Sequence, residues 1–229
     1  MTAHPSASRS RRDRPAKPAL SKEGIVAAAV AVLRAEGLEK VTMRRLAQEL
    51  DTGPASLYVY VRNTADLHAA VLDELLGTVE AAPAPEEGDW RERLERVLTA
   101  YTAMLHEHPG LARSALTARP SGPHYLNLIE TLLALLGQGG VPPARAAWGV
   151  DLLLQHATAT AAEHSAYEGR TGGQEEWDAL TDAVHGASAA THPHIAALAA
   201  PLLAGTPEER LSWGIRAVIS GIEHTPVPD

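Results

Sequence analysis

Apolar residues recur at intervals of three and four along this chain from Ile25 to Ile222, and this helical period constrains the fold more than any other feature. A strand needs a run in which Val, Ile, Thr and aromatic residues alternate with polar ones, and no such run occurs among the 229 residues. The longest uncharged apolar runs, at 25–33 and 195–204, are much shorter than the roughly 20 residues that span a bilayer. The sequence therefore predicts an all-α protein with no membrane span.

Capping residues and apolar stripes predict four helices in the first third of the chain. Residues suited to a helix start stand before or at the first position of each one: Ser21, Thr42, Pro54 and Asn63. The predicted spans are about 22–36, 43–50, 54–61 and 63–79. The second and third of these helices are short, and only residues 51–53 separate them.

A connector rich in proline and glutamate, residues 81–88, precedes a second helical region. Seven further helices are predicted there: 90–108, 110–117, 124–137, 144–167, 175–185, 195–204 and 207–224. The helix at 144–167 is apolar nearly all round and so needs burial on more than one side. We expect it to pair with the last helix of the chain and with the same two helices of a second subunit, which makes a homodimer.

The formal net charge of -8 hides an uneven distribution. Residues 1–62 carry 11 Lys and Arg against 6 Asp and Glu, whereas residues 63–229 carry 9 against 22. The first 19 residues contain several arginines and three prolines with no periodic pattern, which predicts a disordered basic arm. Two roles stay open for this arm, a contact with DNA and a solubilising tail.

Several classes of protein are excluded or disfavoured by what the sequence lacks. The arginine-rich start has no apolar segment after it, so it is not a secretory signal. The chain has no cysteine, which fits a cytoplasmic protein without disulfides or thiolate metal sites. The eleven histidines show no metal-binding spacing, and no nucleophile elbow, phosphate loop or paired catalytic carboxylates occur. We therefore expect no metal, no cofactor and no enzymatic activity.

Two short helices joined by a tight break have the geometry of a helix-turn-helix, in which the second helix enters the major groove of DNA. Ala47 is small enough for the helices to cross closely. Apolar residues fix the second helix: Leu46, Leu50, Leu57 and Val61. The alternative is an amphipathic bundle whose arginines are only solvated surface charges.

The segments 41–50 (VTMRRLAQEL) and 57–63 (LYVYVRN), followed by Leu67, resemble the DNA-binding domain of the TetR family. The resemblance covers about residues 20–76. It implies an all-helical homodimeric transcriptional regulator, usually a repressor. In that family a larger C-terminal domain dimerises and binds a small molecule that releases double-stranded operator DNA. The implied domains are an arm at 1–19, a three-helix DNA-binding domain at 20–66, and a ligand-binding and dimerisation domain at 67–229.

The resemblance also implies which residues contact DNA. The matching positions are Thr42, Arg44, Arg45, Pro54, Ala55, Ser56, Tyr58, Tyr60 and Arg62. Thr42 matches a phosphate contact and Arg44 a residue that reads guanine in some members. Asp51 replaces a glycine that the family places in a left-handed turn, and Thr64 replaces a commonly found lysine.

The absence of phenylalanine and the many alanines give the C-terminal domain a light core, in which a cavity forms easily. Candidate ligand-binding residues are Tyr101, Met104, His108, Tyr125, Trp148, Gln155 and His156. The alternative is a filled core in which these side chains are only packed. The helix at 63–79 is the one continuous element between the two halves, so a ligand is expected to act by tilting it.

Two other functions compete with a ligand-released repressor. One is a DNA-binding regulator that a protein partner controls. The other is a small helical enzyme that uses His and Glu for acid-base chemistry. The sequence leaves the operator, the effector and the regulated genes unidentified, and it leaves activation as open as repression.

Overall fold

The computed structural model describes residues 19–80, 88–117, 120–168 and 172–228, and all regular secondary structure in those ranges is helical. The N-terminal helices are α1 (Lys22–Glu36), α2 (Met43–Glu49), α3 (Pro54–Leu57) and α4 (Thr64–Glu80), with one 3-10 turn at Leu38–Lys40. The remaining helices are α5 (Trp90–His106), α6 (Pro109–Ala115), α7 (Pro123–Gln138), α8 (Pro143–Glu168), α9 (Gly173–His185), α10 (Pro193–Leu203) and α11 (Pro207–His224). The predicted basic arm, apart from Ala19, and most of the predicted connector lie outside the described ranges.

The all-α prediction is confirmed, and no described helix is long and apolar enough to cross a membrane. The predicted starts of several helices are wrong for the same reason, the position of a proline. Four helices begin at a proline that the sequence prediction left outside: Pro109, Pro123, Pro143 and Pro193. Proline lacks the N–H that a helix interior needs, but the first position leaves that group unpaired in any residue, so proline fits there.

The predicted side-chain caps are present. The hydroxyls of Ser21 and Thr42 accept hydrogen bonds from the backbone N–H groups of Gly24 at 3.0 Å and Arg45 at 3.2 Å. At α11 the capping box is reciprocal, since Thr206 accepts from the Glu209 backbone and the Glu209 carboxylate accepts from the Thr206 backbone. These bonds satisfy N–H groups that have no partner inside the helix.

The third helix is shorter than predicted, because α3 ends at Leu57 instead of Val61. The next residues, 58–60, form turns, and the N–H of Tyr60 donates to the carbonyl of Leu57 at 2.9 Å. The sequence that follows Leu57 is a run of aromatic and β-branched residues, which lose side-chain freedom in a helix. Leu57 and Val61 are nevertheless both buried, so the segment stays pinned to the core.

Helix α8 is the centre of the C-terminal region and packs against α5, α6, α7 and α11. Its residues Leu153, Ala157 and Ala161 are fully buried inside the subunit. The small residues Ala157, Thr158, Ala161 and Ala162 are therefore covered by helices of their own subunit. A β-carbon at Gly149 would lie 2.8 Å from Ile222 of α11, so a small residue is required where these two helices cross.

Helices α9 and α10 pack mainly on each other and lie outside the core. Only Gly173 is buried in α9, and no residue of α10 is buried. Their large apolar side chains are exposed in the single subunit: Trp177, Leu180, Ile195, Leu198 and Leu202. Arg210 of α11 holds the end of α10 through hydrogen bonds to the carbonyls of Leu202 and Ala204, both at 2.7 Å.

Ile215 belongs to α11, the helix predicted to pair with a second subunit, but it is 0% exposed within its own subunit. The physical reason is the rotation of α11, which turns Leu211, Ile215 and Ile219 toward α8 and α5. Ile215→Glu should therefore lower the free energy of unfolding of the subunit by roughly 3–5 kcal/mol, because it buries an unpaired carboxylate. Denaturant unfolding followed by circular dichroism measures this change.

Ala134→Glu is the matched control, since Ala134 is an exposed helical alanine of α7. Its unfolding should stay within about 0.5 kcal/mol of the wild type. An Ile215→Glu protein that unfolds like the wild type and only dissociates would contradict the placement of Ile215 in the core.

Candidate nucleic-acid interface and ligand groove

A four-residue turn, residues 50–53, sets the angle between α2 and α3. Asp51 has φ 46°, the left-handed conformation that the family resemblance implied, and it is the only non-glycine residue with positive φ in the described ranges. The N–H of Thr52 donates to the carbonyl of Ala47 at 2.8 Å, which closes the turn. Ala47 and Leu46 are buried beneath it, so the two helices cross closely as in a helix-turn-helix.

Eight of the nine predicted DNA-contact residues are exposed on α2, α3 and the residues after α3. These are Thr42, Arg44, Pro54, Ala55, Ser56, Tyr58, Tyr60 and Arg62. Arg45 is only partly exposed. Eight of the nine predicted residues are therefore accessible, but they differ in how free their polar groups are.

Arg45 is bound on both sides by carboxylates. Its Nη1 donates to Glu49 at 2.7 Å and its Nη2 donates to Glu36 at the end of α1, also at 2.7 Å. The hydrogen bonds to Glu36 and then to Glu49 raise the pKa of the guanidinium. Arg45 therefore connects α1 to α2, and two carboxylates already occupy its terminal nitrogens.

Arg62 is paired more loosely. Its side chain is 86% exposed and Nη2 lies 3.1 Å from Oδ1 of Asp66. Asp66 also accepts from the backbone N–H of Arg62 at 3.0 Å. These hydrogen bonds from Arg62 lower the pKa of Asp66. An exposed arginine in a single ion pair can exchange its carboxylate for another anion.

Arg44 and Tyr60 differ from Arg45 and Arg62 because neither of them forms an ion pair in the described ranges. Arg44 is exposed and has no hydrogen-bond or ion-pair partner within the described ranges. The hydroxyl of Tyr60 donates to the carbonyl of Leu20 at 2.7 Å, so it fixes the entry to α1.

The spacing of four residues between Arg45 and Glu49 indicates an ion pair from the sequence alone. Glu36 is nine residues from Arg45, and only the fold brings these two side chains together.

A groove of about 230 Å³ lies between α7 and α8. Its walls are Tyr125, Ile129 and Leu133 from α7 and Ala147, Val150, Asp151 and Leu154 from α8. The walls are mostly apolar, and Asp151 supplies a carboxylate that also accepts from the amide of Gln155. Such a lining fits an apolar small molecule with one polar or cationic group.

The structure does not bring the seven predicted ligand-binding residues together, and only Tyr125 lines the groove. Tyr101 is buried, its hydroxyl shares a hydrogen bond with Thr158 at 2.8 Å, and burial raises its pKa to about 12. Met104 is also in the core. His108 is half-buried before α6, where burial lowers its pKa.

The other three predicted ligand-binding residues lie on α8. Trp148 and Gln155 are exposed on the outward face of the helix, beside the groove and not in it. His156 faces Gly214 of α11, and its Nε2 is buried with no hydrogen-bond partner among the residues that the structure describes. The helical period predicted which residues of α8 share a face, but it did not predict which face points toward the neighbouring helices.

Asp66 is expected to make folding depend on pH. An unfolded aspartate titrates near about 3.9, and the folded pKa of Asp66 is lowered. Its contribution to stability is therefore complete above that range and is lost as the pH falls through the lowered folded pKa. Because the pair is at the surface, the contribution is at most about 1 kcal/mol.

Asp66→Asn should flatten the acid limb of the stability curve, measured by urea unfolding from neutral pH down to about pH 2.5. Glu74→Gln is the control, because Glu74 is exposed on the same helix and has no hydrogen-bond partner in the described ranges. Equal acid limbs for the wild type and Asp66→Asn would refute the role of the ion pair.

Two family descriptions match the chain. Residues 25–71 match the bacterial regulatory proteins of the tetR family. Residues 82–225 match the tetracyclin repressor-like C-terminal domain. The first range contains α2 and α3, and the second contains the groove between α7 and α8.

Solved structures and curated proteins of Streptomyces are similar over nearly the whole chain. The putative transcription regulator SCO7704 is 56% identical with a TM-score of 0.78, over 93% of this chain and 99% of its own. ActR from Streptomyces coelicolor, solved in complex with actinorhodin, is 36% identical with a TM-score of 0.78, over 90% and 96%. The HTH-type transcriptional repressor DrrR1 of Streptomyces coeruleorubidus is 29% identical over 93% of this chain and 81% of its own.

Proposed function

The chain belongs to the TetR family of bacterial transcriptional regulators, and from that membership we propose that it is a repressor that a small molecule releases from its operator. The proposal takes α3 as the element that enters the major groove and α2 as the element that crosses the backbone. Its site of action is then the cytoplasm, where the operator DNA lies. The observation that carries the DNA-binding part is the exposed face of α2 and α3, on which Arg44 has no ion-pair partner among the described residues.

The pairing of each arginine determines its proposed role. Arg44 is free to donate two hydrogen bonds to O6 and N7 of a guanine. Arg62 can exchange Asp66 for a phosphate at little cost, because the pair is exposed. Arg45 holds α2 against α1 and contributes orientation only.

The remaining exposed residues divide between base edges and backbone. Thr42 and Tyr58 are proposed to bind phosphate, which fixes the register of the protein on the duplex. Pro54, Ala55 and Ser56 at the start of α3 are proposed to approach the bases. Tyr60 is proposed to position the chain entering α1, since its hydroxyl is already engaged by Leu20.

Selection of duplexes from a random-sequence pool by the purified protein tests the proposal directly. The wild type should enrich a near-palindromic site, as two-fold symmetry requires. Arg44→Ala should then weaken binding to that site by about 1–3 kcal/mol and relax the preference at one position in each half-site. Gel-shift titration measures the affinity, and a repeated selection measures the preference.

Arg113→Ala serves as the control for loss of one positive charge, because Arg113 is exposed on α6 in the C-terminal region. Its binding should remain close to that of the wild type. The proposal fails if the wild type enriches no duplex. The assignment of Arg44 fails if Arg44→Ala and Arg113→Ala bind equally well.

We propose that the protein is a homodimer through the outward faces of α8 and α11. Trp148 is 61% exposed and Trp213 is 70% exposed in the single subunit, and Leu152 lies on the same face of α8 as Trp148. Large exposed apolar side chains on packed neighbouring helices are typical of a subunit interface.

Trp213→Glu should convert the dimer into a folded monomer, because pairing would bury a carboxylate without a partner. We expect the dissociation constant to rise about 100-fold or more, corresponding to roughly 3 kcal/mol. Light scattering over a dilution series measures the mass. Leu126→Glu introduces the same charge at an exposed apolar position of α7 and should leave the mass unchanged. A dimer that survives Trp213→Glu rules out this interface.

The small-molecule part of the proposal rests on the groove between α7 and α8 and on the solved complexes of ActR, one with actinorhodin and one with (S)-DNPA. Tyr125 is retained as a ligand-binding residue, with Asp151 as the proposed polar contact. The effector class that fits is an apolar molecule that carries one hydrogen-bond donor or cationic group.

A further inference from the structure

Asp73 of α4 is a buried carboxylate that contacts the start of α7. Its side chain is 8% exposed, and its Oδ1 accepts a hydrogen bond from the backbone N–H of Tyr125 at 2.9 Å. The capping residue of α7 itself is Gly122, which has no side chain to offer. A β-carbon at Gly122 would overlap the Asp73 carboxylate, so the glycine makes room for it. A different helix therefore supplies the cap of α7.

This contact resists separation. The first N–H groups of a helix lack partners inside the helix, and the helix dipole favours a negative charge at that end. A carboxylate that left this place while still buried would lose its hydrogen bond without gaining water. One turn further along α4, a β-carbon at Gly77 would lie 3.0 Å from the imidazole of His124. A shift of the first turn of α7 must therefore move α4 as well.

The other end of α4 is attached to the DNA-binding elements. Nε2 of His68 lies 3.2 Å from the carbonyl oxygen of Val41, the residue before the Thr42 cap of α2. His68 and Asp73 are five residues apart, less than one and a half turns of helix. A rigid segment of α4 thus joins the entry of α2 to the entry of α7.

Tyr125 takes part both in the contact with Asp73 and in the lining of the groove. Its backbone N–H is the donor to Asp73, and its side chain lines the groove between α7 and α8. A molecule that occupies the groove and displaces Tyr125 acts on the residue that Asp73 holds.

We infer that Asp73 is the positioning residue that makes DNA affinity depend on occupancy of the groove. This inference rests on the proposed function, and it names the contact through which regulation passes. A molecule in the groove changes the position of the first turn of α7. Asp73 transfers this displacement to α4 through its hydrogen bond to Tyr125. His68 then transfers it to the start of α2 through its contact with Val41. Coupling of this kind requires that the groove and the DNA-binding face favour different positions of the same element.

Filling the groove by mutation replaces the unidentified effector in the test. Ala147 lines the groove, and Ala147→Trp adds bulk beside Tyr125 without adding charge. The DNA probe is the duplex that the wild type selects from a random-sequence pool. Ala147→Trp should weaken binding to this duplex about 5- to 150-fold, the usual range of coupling between two sites.

Asp73→Ala should remove the loss of affinity that Ala147→Trp causes. The single variant Asp73→Ala and the double variant with Ala147→Trp should therefore bind the duplex with affinities within about twofold of each other. A merely structural role of Asp73 would weaken both proteins equally and leave the ratio unchanged. Asp73→Asn keeps an oxygen acceptor for Tyr125 and should preserve most of the ratio. Circular dichroism fixes a temperature at which every variant is folded.

Gly122→Ala provides a second way to break the contact if Asp73→Ala does not fold. Gly122 has φ -82°, which alanine adopts without strain, so the added β-carbon acts only by displacing the carboxylate. It should remove the effect of Ala147→Trp as Asp73→Ala does.

A second contact between the two halves, among the residues that the structure describes, gives a matched control. Leu38 of the 3-10 turn meets Gly110 of α6, where a β-carbon would lie 2.9 Å from the Cβ of Leu38. Gly110→Ala disturbs that contact and should leave the effect of Ala147→Trp in place.

The outcomes separate the two proposals. If the wild type selects no duplex, the proposed function is wrong and the inference with it. If the wild type selects a duplex but Ala147→Trp binds it normally, or if only Gly110→Ala removes the effect, the function stands and the role of Asp73 is refuted.

Discussion

The buried face of α4 is the constraint on which the rest of the molecule depends. Leu67 and Val71 lie in the core with α1, and Leu72, Leu75 and Leu76 continue the same buried stripe toward α5 and α7. One amphipathic helix therefore closes the core of the helix-turn-helix and also enters the core of the C-terminal region. The two regions cannot change their relative positions without moving α4. The contact of Leu38 with Gly110 is the second link, which the sequence did not indicate.

The small size of the core residues shapes the C-terminal region. Without phenylalanine, the helices approach through alanine and glycine, as at Gly149 against Ile222 and at Gly214 against His156. In these close contacts one face of α8 packs against helices of its own subunit. Its tryptophan and leucine are then left on the outward face. The same rotation that fills the subunit core thus provides the apolar surface proposed for dimerisation.

The arginines of the helix-turn-helix show how a fold assigns different tasks to the same side chain. Two carboxylates fix Arg45, one carboxylate holds Arg62 loosely, and Arg44 has no partner in the described ranges. An arginine that is free in the unbound protein binds a guanine without first breaking an ion pair. Electrostatic environment, more than position in the motif, separates the proposed base contact from the residue that maintains helix orientation.

The sequence alone determined the helical class and the two short helices with the break between them, because caps and periodicity are local. The positive φ of Asp51 was implied only by the family resemblance and not by a local pattern. The end of α3, the pairing of Arg45 with Glu36 and the dispersal of Tyr101, Trp148 and His156 were decided by tertiary structure. Period identifies which residues share a face of a helix, but only packing against neighbours determines where that face points. Asp73 shows the same limit, because a cap supplied by another helix leaves no local pattern in the residues around Gly122.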